Sequence, residues 1–216
     1  MKIQNLIAVL ILFTNVSFGQ KTESSNSFEQ NIRLEIENES SQYFYPKLLN
    51  KIKIEPDKIT KEDIKYLYYG QIYKKGTGLS FLDNSDDEDK FRRAVIQNNC
   101  KKILKLGYVN LTKNPVQLTT LIPINSCRLE LKEADTYYLD SRLKMVLEII
   151  FQTGDGKTKE SAIKIANIED DLMLKEILGF KNGKESLESS NNKVYSVWEN
   201  GNQKIYFEDS WNYKYN

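Results

Sequence analysis

The sequence predicts a mainly helical α+β protein, with antiparallel helical hairpins followed by a small antiparallel β-sheet that closes on a C-terminal hairpin. Three observations carry that reading. Apolar residues recur at helical spacing over most of residues 28–152. The grammar changes to short alternating runs after the turn Gly154-Asp155-Gly156. Near the end, Asn200-Gly201 separates two such runs, a two-residue hairpin signal.

The chain opens with Lys2 and the unbroken apolar run Leu6 to Phe13, then Ser17-Phe18-Gly19-Gln20. A positive start, a short apolar stretch and small residues before a cut form an export signal, with cleavage expected after Gly19. The run is too short for the ~20 apolar residues that cross a bilayer, so no membrane span is expected once it is removed. No cysteine lies near the cut to carry a lipid. The organisation expected is therefore a signal over 1–19, a helical region over 20–155 and a small α/β region over 156–216 packed on the helices.

Residues 20–31 are polar, and Phe28, Ile32 and Ile36 then place a first helix near 28–38. A second is expected near 42–50. The third has the best start signal. Thr60 caps it, Asp63 answers as the capping-box acid, and Ile59 with Ile64 form a hydrophobic staple. It runs through Ile64, Leu67, Tyr68 and Ile72 and stops by Gly76. Its tyrosines Tyr66, Tyr68, Tyr69 and Tyr73 suit core packing with phenol tips at the surface; a ligand platform is the alternative. The acids from Asp83 to Asp89 precede a helix expected over 87–106, where negative charge complements the N-terminus. That cluster lacks the glycine and terminal glutamate of a calcium loop.

After Gly107 the reading is a loop to Asn114-Pro115, then helices near 115–132 and 134–152, with Pro123 able to kink the first. Ala162 to Ala166 reads as a strand. A helix over 169–178 is opened by Glu169, Asp170 and Asp171 and closed by Gly179 as a left-handed cap. With Asn200-Gly201 as the loop, Trp198 would oppose Gln203, Ser196 would oppose Ile205 and Val194 would oppose Phe207. The face with Val194, Trp198, Ile205 and Phe207 is then buried, and the face with Tyr195, Val197, Lys204 and Tyr206 more open. A hairpin alone is marginal, so it should join the 162–167 strand or one near 184–188.

Composition removes several chemistries. The chain has 31 basic and 30 acidic residues; removing the signal takes Lys2 and no acid, leaving no basic excess for nucleic acid. It contains no histidine, so Ser-His-Asp and Cys-His relays and histidine-ligated metals cannot be built. No cofactor is implied. Gly154-Asp155-Gly156-Lys157-Thr158 has the ending of a phosphate loop, but Phe151 stands where the first glycine belongs. A helix-to-strand turn is the better reading. Cys100 and Cys127 fall on adjacent helices of an antiparallel pair. Counted from a loop after Gly107, they are roughly 7 to 8 Å out of step along the axis, so a disulfide and two buried thiols both stay open. Carboxylates are plentiful, but no spacing singles out an acid and base pair.

Several landmarks together resemble the bacterial domain of unknown function 4919 family: Tyr43-Phe44-Tyr45-Pro46-Lys47-Leu48-Leu49, then Leu67-Tyr68-Tyr69-Gly70, then Gly154-Asp155-Gly156-Lys157, Gly179 after an acid-led helix, and Ile205-Tyr206-Phe207. Their order covers about 40–210. The chain departs from the family's pattern at Asp170-Asp171-Leu172, where an Asp-Glu-Tyr signature is usual, and near Ser190-Asn191, where a Cys-Asp pair is common. The resemblance implies a secreted or periplasmic protein of Gram-negative bacteria with no assigned activity. Tyr68, Tyr69, Gly70, Gly154, Asp155, Gly156 and Gly179 are motif positions to which it attaches no role. The middle also resembles a tetratricopeptide-type helical hairpin, with Leu118, Leu121, Ala134, Tyr138 and Ser141 near its packing positions, although no clean repeat is present. These features favour a non-enzymatic module that binds a protein or peptide partner. The alternatives are a carboxylate-dependent hydrolase of cell-envelope glycans and a small-ligand binder using the tyrosine-rich helix.

Overall fold

The structure is a computed structural model that describes residues 25–73, 86–135, 138–191 and 193–209. The export signal, the expected stop at Gly76 and the acid Asp83 lie outside them. Among the described residues the chain forms α1 (Ser25–Glu37), α2 (Tyr45–Ile54), α3 (Lys61–Gly70), α4 (Asp86–Ile96), α5 (Cys100–Lys113), α6 (Leu118–Leu131), α7 (Leu139–Phe151), β1 (Ile163–Lys164), α8 (Asp170–Ile177), β2 (Lys184–Ser190), β3 (Lys193–Asn200) and β4 (Gln203–Glu208). It is a mainly helical protein with a small sheet at its C-terminal end.

The centre of the helical layer is α3, packed against α1, α2 and α7. Its start follows from local chemistry. Asp63 N donates to Thr60 Oγ1 at 3.2 Å and Thr60 N donates to Asp63 Oδ2 at 2.9 Å, completing the capping box. Lys51 on α2 adds an ion pair to Asp63 at 2.7 Å. Central position explains why Ile64 and Tyr66 through Gly70 are all buried. At Gly70 a Cβ would stand 2.9 Å from Ile36 Cγ2, so glycine there lets α1 lie close.

The expected helix over 87–106 is two helices. Asn98 takes φ 51°, breaking α4, and the Asn99 side chain accepts from Lys102 N at 3.2 Å to cap α5. Helix α5 then continues through Gly107 to Lys113. Gly107 is not a stop signal. A Cβ there would meet Ile124 Cδ1 at 2.4 Å and Phe91 Cε2 at 2.9 Å, so the missing side chain is what lets α5 cross α6. Gly107→Ala should therefore destabilise the protein by about 1 kcal/mol net: overpacking costs ~1–3 kcal/mol and better helix propensity offsets ~1. Chemical denaturation measures it, and a neutral result would show that Ile124 repacks freely.

Helix α6 ends at Lys132, whose φ of 57° is left-handed. The next helix starts later than its apolar period implies, because Asp135 accepts from Leu139 N at 2.7 Å and Asp140 N at 3.0 Å and fixes the first turn there. Ala134, Tyr138 and Ser141 are consequently exposed, so the tetratricopeptide-type packing set is not formed.

The sheet runs β1-β4-β3-β2. The hairpin is flanked on both sides, by β1 against β4 and by β2 against β3. The sheet is mixed rather than antiparallel, because β1 pairs with β4 in parallel. The hairpin register also differs from expectation: Asn200 pairs with Gln203, Trp198 with Ile205 and Ser196 with Phe207. Gly201 has φ +61° while Asn202 does not have a positive φ. One positive φ at the first loop position fits a type II′ turn over Gly201-Asn202 rather than type I′ over Asn200-Gly201. The slip is two residues, so each side chain keeps its face. Ser196, Trp198, Ile205 and Phe207 are buried as a set. The opposite face is less open than expected: Tyr195 and Val197 are buried with Ala162. The Gly156–Ala162 segment crosses that face, with Tyr206 N donating to Gly156 O at 2.8 Å. One continuous core links the two regions, from Ile32 on α1 to Phe207 on β4.

Candidate functional site

Helices α4, α6 and α8 form the walls of a cleft of about 720 Å³, and Ile103 and Asn110 of α5 also line it. Each helix presents one stripe to it: Phe91 and Val95 from α4, Ile122 and Pro123 from α6, and Leu172, Met173 and Ile177 from α8. Phe91 with Val95, and Met173 with Ile177, lie one turn apart on their helices. Helix α6 is buried on most sides because it packs on α5 on one side and lines the cleft on another. At the mouth, Leu129 is 52% exposed and Leu172 39%. The rim is charged, with Glu88 and Arg92 on α4, Glu130 on α6, and Glu169 and Glu176 at and on α8. Arg92 pairs with Glu169 at 3.2 Å and so ties α4 to the start of α8.

A disulfide underlies one wall. Cys100, the first residue of α5, is joined to Cys127 of α6 with Cα atoms 5.0 Å apart. Cys127 lines the cleft and is buried. The axial mismatch reckoned from sequence compared the wrong positions, because it placed the loop at Gly107 while α5 runs on to Lys113.

On its inner side α8 carries a second feature, a buried polar node. Asp170 and Asp171 are each only 1% exposed. Sequence reading took them as acids opening a helix, which they are, but missed their burial. Tyr68 Oη donates to Asp170 Oδ2 at 2.6 Å and accepts from Ala166 N at 3.2 Å. Asp171 Oδ2 accepts from Ser196 Oγ and from Trp198 Nε1, the latter at 3.0 Å. Lys175 Nζ lies 3.4 Å from the centre of the Trp198 ring, a cation–π contact. Burial pushes the Asp170 carboxyl up to about 7, with the nearby charges of Glu169, Asp171 and Asp209 acting the same way and the Tyr68 hydrogen bond opposing them. Burial also raises Asp171, against its bonds from Ser196 and Trp198. A carboxyl ionising near neutrality is suited to proton transfer, but these two are enclosed by protein and offer no surface to a substrate. They join α3, α8 and β3 into one unit. The spacing of about a hundred residues between Tyr68 and Asp170 left no local signal for this contact.

The motif positions fall into separate structural roles. Tyr68 belongs to the node, and Tyr69 is buried with its phenol donating to Lys164 O at 3.2 Å. Both rings are wholly inside, rather than tipped to the surface. Gly70 provides the α1 approach described above. In the turn after α7, Gly156 has φ +70° and Gly179, capping α8, has φ +88°, the left-handed conformations glycine allows. Gly154 has no positive φ; a Cβ there would stand 2.2 Å from Ser161 O. Asp155 closes the turn by accepting from Ser161 Oγ at 2.7 Å and Lys157 N at 3.1 Å. None of these residues lines the cleft. Among the described residues no group of three or more histidine, cysteine or acidic side chains could hold a metal ion, and no helix is long and apolar enough to cross a membrane.

Residues 30–214 match the family model described as Domain of unknown function (DUF4919). Searches of curated proteins and of solved structures found no match.

Proposed function

The chain belongs to the domain of unknown function 4919 family, and from its three-helix cleft we propose that it is a non-enzymatic, exported module that binds a protein or peptide partner. The observation that carries this is an apolar groove with exposed leucines at its mouth. Soluble proteins rarely leave a contiguous apolar concavity uncovered unless something docks there. A helical or extended segment inserting a few apolar side chains is the recognition mode such a groove suits. Export is supported by the N-terminal sequence pattern and by the Cys100–Cys127 disulfide, which persists in an oxidising compartment. The reading as a glycan hydrolase gains nothing from Asp170 and Asp171, since both are enclosed.

A photo-crosslinking amino acid at Leu129 or Leu172 tests the proposal, with the still more exposed Leu187 on β2 as the control position. Cross-links to a defined peptide or protein should form from 129 and 172 and not from 187. Leu172→Glu should weaken that binding about tenfold or more, the usual cost of losing an anchor of ~1.4 kcal/mol or greater, with the melting curve unchanged. Equal cross-linking from all three positions, or glycan turnover abolished by neutralising one carboxylate in a folded variant, would overturn it.

A further inference from the structure

We propose that the groove's occupant is a cationic amphipathic segment, an apolar stripe flanked by lysine or arginine. This rests on the groove being a docking surface and goes further by assigning the partner's charge. The chain as a whole is balanced, with 31 basic against 30 acidic residues, yet the groove is not. Among the described lining residues the acids are Glu88 of α4, Glu130 of α6, and Glu169 and Glu176 at and on α8, and the one cation is Arg92. Arg92 is already engaged by Glu169. Glu130 and Glu176, on facing walls, have no ion-pair partner among the described residues. Among the described residues no lysine lines the groove.

The physical consequence is a negative potential focused along an apolar slot, where solvent screens charge less than on an open surface. An apolar segment with acidic flanks would bring like charges together as it docked. Basic flanks would meet Glu130 and Glu176 at the rim, adding orientation and association rate to the affinity that the apolar contacts supply. The apolar side chains would lie against Leu172 and Ile122, and the basic ones would project toward the two walls.

Three synthetic amphipathic peptides sharing one leucine stripe, with flanking positions all lysine, all glutamine or all glutamate, separate the possibilities. Binding to the intact folded protein is followed by fluorescence anisotropy at low and high salt. The lysine peptide should bind most tightly and the glutamate peptide least, and its advantage should shrink about tenfold on adding salt. Glu130→Gln with Glu176→Gln should remove most of the lysine peptide's advantage over the glutamine peptide. Equal affinity for all three peptides, lost in Leu172→Glu, would overturn the charge assignment and leave docking intact. Binding of none of them, or binding indifferent to Leu172→Glu, would overturn both.

Discussion

Asp170→Asn should stabilise the protein at pH 8 and leave it nearly unchanged near pH 4. In the folded state burial holds the Asp170 proton to about pH 7, whereas the ordinary carboxyl loses it near 3.8. The folded form thus binds the proton more tightly than the unfolded chain. Its contribution is fully present below 3.8 and disappears as pH rises toward 7, because the unfolded state binds fewer protons across that window. At about 1.4 kcal/mol per pH unit, the native protein gives up roughly 4 kcal/mol above neutrality relative to acid. An asparagine can still accept from Tyr68 Oη through its amide oxygen and carries no charge to bury. Urea denaturation at several pH values is the measurement. The difference between variant and wild type should grow from near zero at pH 4 to a few kcal/mol at pH 8. A difference that is constant with pH would mean that Asp170 is ionised in the fold throughout. Because α8 carries Asp170 and Asp171 inward and Leu172, Met173 and Ile177 toward the groove, peptide binding should be compared at the same pH values.

Loss of the disulfide should cost about 3 to 4 kcal/mol. Cys100 and Cys127 are separated by 27 positions, and closing a loop of that size in the unfolded chain removes entropy of that order. Cys100→Ala with Cys127→Ala should lower the denaturant midpoint, and wild type treated with reductant should fall to a similar value. The double variant should not respond to reductant. A shift below about 1 kcal/mol would show that packing of α5 on α6 through Gly107 and Ile124 holds the pair alone. Since Cys127 lines the groove, the same variants should bind a leucine-striped peptide less well. Reduction would then weaken both the fold and the groove.

What could be read from the chain alone was decided within a few residues of itself. Thr60 and Asp63 cap α3 because they lie three positions apart; Gly179 ends α8 because a left-handed residue is needed there; alternating runs around Asn200-Gly201 mark a hairpin. The family resemblance rested on the same local landmarks. Local signals failed where two uses of one residue compete. Gly107 can end a helix or admit a neighbouring one, and only Ile124 and Phe91, delivered by α6 and α4, choose between them. Acids at 170 and 171 open a helix in either case, but their burial depends on Tyr68, Ser196 and Trp198 arriving from α3 and β3. The groove was less legible still, because its walls come from helices whose mutual placement no spacing encodes. Burial, disulfide geometry and concavity are properties of distances between segments far apart in sequence. Hydrogen bonding and steric preference within one turn of chain mark the caps and turns, and only packing determines where Gly107 lets a helix run on and which surface a partner could meet.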